Sequence, residues 1–219
     1  MTAPTNQIIS SLTKADQLFL LKNSRKMTLK AGDVLSHLVQ NKACIYFPLR
    51  GSIALYLGST NPDVAQGLAV GLIGSEGVVG LEFSLGFSHS PFQFIVQSDG
   101  DAYVVEARRA QGLMQHHPKV LLKFSQYLWT VYEGIASFAA STYTKDIKVR
   151  LAQWLILSAT RCAPETLKLT HLHISKMLGV RRSSISIAAR EMKLKRLINY
   201  TRGQIFITHL SALENLANS

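Results

Sequence analysis

The stretch that most constrains this sequence is Leu169–Thr208, and within it Gly179–Glu191. A short amphipathic segment, Thr170–Leu178, breaks at Gly179-Val180. A second helical segment opens on Arg181-Arg182-Ser183-Ser184 and runs to about Met192. Gly179 suits the left-handed conformation that closes a helix, because it has no Cβ to meet a neighbouring carbonyl. Two helices joined by a turn containing Gly form a helix-turn-helix pattern. Ile174, Leu178, Val180, Ile185 and Ala188 or Ala189 are spaced to hold the pair together, which leaves Arg182, Ser183, Ser186 and Arg190 facing outward. Leu197–Tyr200, a turn through Thr201-Arg202-Gly203-Gln204 and the strand-like Ile205–Ile207 then give a hairpin, with Arg202 at its tip. An ordinary helical pair with a solvated basic face has a similar composition. The position of Gly179, the Arg-Arg-Ser-Ser opening and the hairpin weigh against that reading.

Charge points the same way. The net charge of +11 is uneven: Tyr143–Ser219 holds 13 Lys/Arg against 4 Asp/Glu, whereas Met1–Thr142 nets only +2. A positive field confined to the last third suits a polyanionic partner reached by electrostatic steering. A membrane surface is the rival, but these charges interleave with a core-forming apolar pattern, and nucleic acid is favoured. Guanidinium and short hydroxyl side chains at a helix N-terminus match a major groove, where an Arg fork can hold guanine O6 and N7 together.

The remaining composition excludes several classes. Cys44 and Cys162 stand far apart without CxxC spacing, so neither a disulfide framework nor a zinc or iron–sulfur site is expected. His37, His89, His116, His117, His171 and His173 form no His/Glu cluster, and no metal is expected. No nucleophile motif, P-loop or paired catalytic carboxylates occur, so neither catalysis nor a cofactor is expected. No signal peptide or membrane span is read, and a cytoplasmic protein is expected.

Along the chain, Thr13 is placed to cap a helix carrying Leu18–Leu21. From Arg25 to about Glu106 come short apolar runs between turn signals: Met27–Leu29, Cys44–Leu49 before Arg50-Gly51, Ser52–Tyr56, Leu68–Ile73, Phe92–Gln97 and Ala102–Val105. Such spacing predicts an all-β sandwich or roll. Ala107–His117 reads as a short helix, and a longer one begins at Pro118. Leu121, Phe124, Leu128, Val131, Ile135 and Phe138 recur at heptad spacing, fit for packing between two copies of the chain, or onto the chain's own roll. Ser141–Thr144 interrupts the period as a hinge. Lys145–Ala159 resumes as an amphipathic helix with Ile147, Leu151, Trp154, Leu155 and Ser158 on one face. Ser211–Glu214 has capping-box spacing for a last helix. The expected architecture is α+β, with a roll over 1–117, a dimerisation helix and hinge over 118–142 and a DNA-binding domain over 143–219.

Leu178–Ile185 followed by Leu197–Ile205 resembles the winged helix of the Crp–Fnr transcription regulators, most of all a branch without assigned effectors. Tyr46–Leu55 resembles, more weakly, their β-roll sensor. The resemblance implies a homodimer that binds double-stranded DNA and meets RNA polymerase. Carried over by position, Arg182 is the best base reader, with Ser183 and Ser186 as lesser ones; Arg181 and Ser184 belong to the same DNA-binding helix start. Thr170 and His171 sit where backbone phosphates are clamped, and Arg190, Lys193 and Arg202 add to them. Two departures matter: the family's Glu after the reading Arg is Ser183, and its second reading Arg is Ile187. Arg196 also stands where a Gly often precedes the wing, which implies a strained exit.

Gly80-Leu81-Glu82-Phe83 resembles the family's cyclic-phosphate segment, but Pro91-Phe92 replaces its Arg-Ser/Thr pair. No Arg or Lys lies between Arg50 and Arg108. A buried phosphate would lack its cation, so cyclic AMP is not expected. A cavity lined by Leu72, Leu81, Phe83, Phe92 and Phe94 would suit an apolar ligand, a partner surface or nothing. Two rivals to a dimeric regulator remain. One binds a nucleotide by a non-standard route; the other is a cupin-like protein that binds nucleic acid unspecifically.

Overall fold

The computed structural model describes residues 5–57, 67–162, 166–167, 169–201 and 203–219. Arg202, expected at the hairpin tip, lies outside the described residues. The elements run α1 (Gln7–Ser10), α2 (Lys14–Lys22), β1 (Ser24–Leu29), β2 (Val34–Leu35), β3 (Leu38–Val39), β4 (Lys42–Leu57), β5 (Ala69–Ile73), α3 (Leu81–Ser84), β6 (Phe92–Glu106), α4 (Ala107–His116) and α5 (Pro118–Thr144). There follow α6 (Ile147–Cys162), β7 (Thr166–Leu167), α7 (His171–Leu178), α8 (Arg182–Leu194), β8 (Ile198–Thr201), β9 (Gln204–Ile207) and α9 (Leu210–Ala217). Two compact units emerge. One comprises Met1–Leu55 with Ile73–Gly134, the other Tyr56–Leu72 with Ile135–Ser219.

In the first unit β6 pairs with β1, β2 and β4, while β4 also takes β3. The β1 register is antiparallel, with Ser24 opposite Val105 and Leu29 opposite Gly100. Most of β4 is buried at successive residues, so it reads as a continuous apolar run without strict alternation. The sequence expectation of separate short strands around Arg50-Gly51, and of a break between Gln97 and Ala102, is corrected: β4 and β6 each run through unbroken. The reason is steric. Gly51 has φ +77, and a Cβ there would lie 2.6 Å from the Ser98 carbonyl oxygen; a Cβ on Gly100 would overlap the Arg50 carbonyl. These glycines let the two backbones close on each other inside paired strands, so the local turn signal marks a bend and not an end.

Thr13 caps α2 as expected, its side chain accepting from the Asp16 N–H. Within α5, Phe124 is fully buried, its ring 6.4 Å from that of Phe47, and Tyr127 Oη donates to the Val78 carbonyl at 2.9 Å. Phe124 therefore has no surface left for a second copy, which corrects its assignment to a dimer seam. Leu128, Val131, Ile135 and Phe138 are half-buried and Leu121 is exposed. Leu122, Trp129 and Tyr132 also stand in solvent.

In the second unit the helix expected to stop at a Ser141–Thr144 hinge continues to Thr144, and the break falls at Lys145-Asp146. The hydroxyls of Ser141, Thr142 and Thr144 bond back to carbonyls three or four residues earlier, so these residues are accommodated within the helix. On α6, Leu151, Trp154, Leu155 and Ser158 are buried as expected. Phe138 meets Trp154 edge-on at 6.3 Å. Helix α9 begins at Leu210 behind His209, which gives no side-chain cap, so the expected Ser211 capping box does not form. The N–H groups of Thr208 and His209 instead donate to the Leu197 carbonyl, and Gln153 Nε2 donates to Ala217.

Candidate nucleic-acid interface

Helix α7 starts at Thr170, whose hydroxyl accepts from the His173 N–H at 3.0 Å. It ends at Gly179 with φ 64 and ψ 38, the left-handed closure the sequence demands. The Val180 N–H then turns back to the Ser175 carbonyl at 2.9 Å. Ile174, Met177 and Leu178 meet Ile185, Ala188, Ala189 and Met192 in the core, while Val180 is half-buried. The pair is fixed from below by Arg150, which the sequence reading missed. Its Nη2 donates to the Leu178 carbonyl at 2.6 Å, and burial lowers its pKa. An Arg inside an otherwise apolar helical face at 147–158 was the available signal.

Helix α8 begins at Arg182 behind Arg181, which supplies no side-chain cap. The Ser184 N–H donates to the Arg181 carbonyl at 3.0 Å, and the N–H groups of Arg182 and Ser183 lack a capping side chain, which leaves them to face an anion. Arg181, Arg182, Ser183, Arg190 and Lys193 are exposed on its outer side. Ser184 is half-buried. Ser186 is committed within the protein: its Oγ donates to the Arg182 carbonyl at 3.1 Å and lies 3.2 Å from His171 Nδ1. Ile187 stands among these polar groups, 62% exposed.

His171 also packs edge-on against Tyr200 of β8, centroids 4.9 Å apart, and Lys193 Nζ lies 4.9 Å over the same ring. Thr170, His171, Leu172, Arg182, Tyr200, Thr201 and Gly203 line a cleft of about 530 Å³ between α7, α8 and the hairpin. Burial, and then the Arg182 charge, hold the His171 pKa below its ordinary value, so its imidazole is neutral at pH 7. Tyr200 was not singled out from the sequence, since its role depends on the strand face it occupies.

Strands β8 and β9 pair antiparallel from Ile198–Ile207 to Thr201–Gln204, and β7 adds a third strand. Gly203 sits at φ +80 in the connecting turn. Arg196 adopts φ 56, which realises the strained exit expected where a Gly is usual. Among the described residues, no helix is long and apolar enough to cross a membrane.

Residues 149–216 match the family described as the Crp-like helix-turn-helix domain. The last third of the chain is thus similar to Crp-like helix-turn-helix domains. No curated protein matches the chain in sequence. A structure assigned to the Crp/Fnr family of transcriptional regulators, from Eubacterium rectale, has a TM-score of 0.71 at 20% identity, covering 96% of this chain and 97% of that one. A Crp/Fnr-family transcriptional regulator of Thermus thermophilus gives 0.69 at 20% identity over 89% and 99%. The c-di-GMP-responsive global regulator CLP of Xanthomonas campestris gives 0.66 at 14% over 87% and 96%. The whole chain thus has the Crp/Fnr fold: a β-sheet domain, a long helix and the Crp-like helix-turn-helix domain.

The residues expected to line a roll cavity fall into two groups. Leu72, Leu81, Phe83 and Phe94 are buried, whereas Phe92 and Glu82 are half-buried. Gly80, at φ 81, opens α3. Glu82 Oε1 is buried with no hydrogen-bond partner among the described residues.

Proposed function

We propose that this protein is a sequence-specific, DNA-binding transcription regulator that acts as a homodimer. The observation that carries the reading is the outer face of α8, where Arg182, Ser183 and Arg190 are exposed around an uncapped helix start. Arg182 reads a base edge. Thr170, His171, Arg190, Lys193 and Arg202 hold phosphates, and Ser183 makes lesser base contacts. Ser186 contributes by fixing His171 and the first turn of α8. The parts are a sensor roll over 1–117, a dimerisation helix over 118–142 and the reader over 143–219. Two readers would address half-sites about 34–36 Å apart.

The second copy covers the solvent side of α5, where Leu121, Leu122, Trp129 and Tyr132 are exposed beside the small residues Ala136, Ala139 and Ala140. RNA polymerase is the further partner, the protein works in the cytoplasm, and no catalysis is assigned.

The roll does not take cyclic AMP. No Lys or Arg occurs from 51 to 107 to pair with a cyclic phosphate, and Glu82, whose buried Oε1 has no hydrogen-bond partner among the described residues, would repel one. Calorimetry with cyclic AMP should stay flat; because a structural relative is named for responding to c-di-GMP, that nucleotide belongs in the same titration. The central test is a competition gel shift on genomic fragments. A defined site should survive excess random DNA, whereas binding that disappears with competitor would leave only the unspecific reading.

A further inference from the structure

The outer face of α8 carries two apolar residues that phosphate binding does not explain, Ile187 and, at the last position of the helix, Leu194; of the two, Ile187 lies nearer the helix start. Ile187 lies one turn after Ser183 and one turn before Arg190-Glu191, and it is 62% exposed. Its neighbours on the inner face, Ile185, Ala188 and Ala189, are all buried, so the core of the unit does not need it. A β-branched side chain is also a poor helix former, so local propensity gives no reason for it at an exposed position. Its helical neighbours are polar or charged: Ser183 one turn before, behind Arg182 at the helix start, and Arg190 one turn after, beside Glu191, which is paired with Lys148 at 2.9 Å. Any surface that covers Ile187 must therefore accept Arg182 and Ser183 towards the helix start and Arg190 a turn further on, and offer an apolar spot between them.

The major groove of a duplex has this layout. Phosphates run along its rims, and its floor presents a single apolar group, the 5-methyl of thymine. A helix that sets its N-terminal residues against base edges lays its next turn along that floor. We propose that Ile187 is a specificity residue that selects thymine at one position of each half-site by packing on its 5-methyl group. This rests on the DNA-binding reading given above and refines it. Base choice here is split between an Arg fork at Arg182 and an apolar contact one turn later.

The test uses the full chain and a site recovered by footprinting. Each thymine is replaced in turn by deoxyuridine, which keeps every hydrogen-bonding group and removes only the methyl. At one thymine per half-site the unaltered protein should lose about fourfold in affinity, the factor expected for uncovering one methylene-sized group. Ile187→Ala should bind the thymine site more weakly and be indifferent to deoxyuridine at that position; Ile187→Val should retain part of the discrimination. Because the side chain is exposed, both variants should fold, and equal binding to random DNA checks this. A protein that tolerates deoxyuridine at every position, or an Ile187→Ala variant that keeps the full methyl preference, would refute the thymine assignment while leaving the regulator reading intact. Failure to recover any specific site would overturn both.

Discussion

At the scale of residues, the reader divides into groups that see bases and groups that see charge. Removing a bidentate Arg182 by Arg182→Ala should cost about 1–3 kcal/mol at one base pair and relax preference there. Arg190→Ala and Lys193→Ala should weaken all sequences alike, each reducing the slope of log affinity against log salt by about 1. Fluorescence anisotropy on a panel of single-base variants over a salt series separates the two; an Arg182→Ala protein with unchanged preference would remove it from the base readers. His171 adds a pH signature. Its folded pKa is depressed by burial and by Arg182, so it is neutral when free. A phosphate brought to the cleft favours the charged imidazolium and raises that pKa, so binding takes up a proton. Affinity should rise as pH falls past the ordinary histidine value near 6.5 towards the lower pKa of the free protein. In His171→Asn that excess dependence should vanish; if it persists, another group titrates.

At the scale of elements, two left-handed residues bound the reader and predict opposite outcomes. Gly179 has φ +64, and a Cβ there would meet Leu68 Cδ1 at 3.1 Å. Gly179→Ala should therefore destabilise the chain by about 1–2 kcal/mol in urea unfolding. Arg196 already holds the same conformation with a side chain. Arg196→Gly should stabilise by about 0.5–1 kcal/mol, because relief of strain exceeds the added entropy of the unfolded glycine. These elements were legible in the sequence because their signals are local: a helix-closing Gly, a hydrophobic period, a Gly in a tight turn. Much of the first unit was legible as strands but not as two long ones, since whether Gly51 and Gly100 end a strand or bend it depends on what lies opposite. The same limit explains the seam. Heptad spacing identified the stripe on α5, but only packing shows that Phe124 is spent on Phe47 while Trp129 and Tyr132 face outward. Within the candidate site, outward-facing Arg182, Ser183 and Arg190 followed from helical spacing. The linkage of His171 to Ser186 and Tyr200 joins three elements, and no local pattern encodes it.

At the scale of the molecule, the exposed aromatic pair of α5, Trp129 and Tyr132, with ring centroids 5.4 Å apart, should anchor the second copy. Trp129→Arg should shift sedimentation from dimer to monomer and weaken binding to a palindromic site far more than to a half-site. A variant that stays dimeric would move the interface off this face. The charge division, +9 in the last third against +2 before it, is preserved in either state, so a monomer should still bind DNA unspecifically at low salt. The doubled bend at Gly51 and Gly100 has a separate consequence. Because two long ladders flex together where their main chains nearly touch, neither arm can open alone without dragging the other. Amide deuteration along Ala43–Leu55 and Phe92–Val105 should then report one shared opening free energy, like a stiff cloth folded once and held by a single crease.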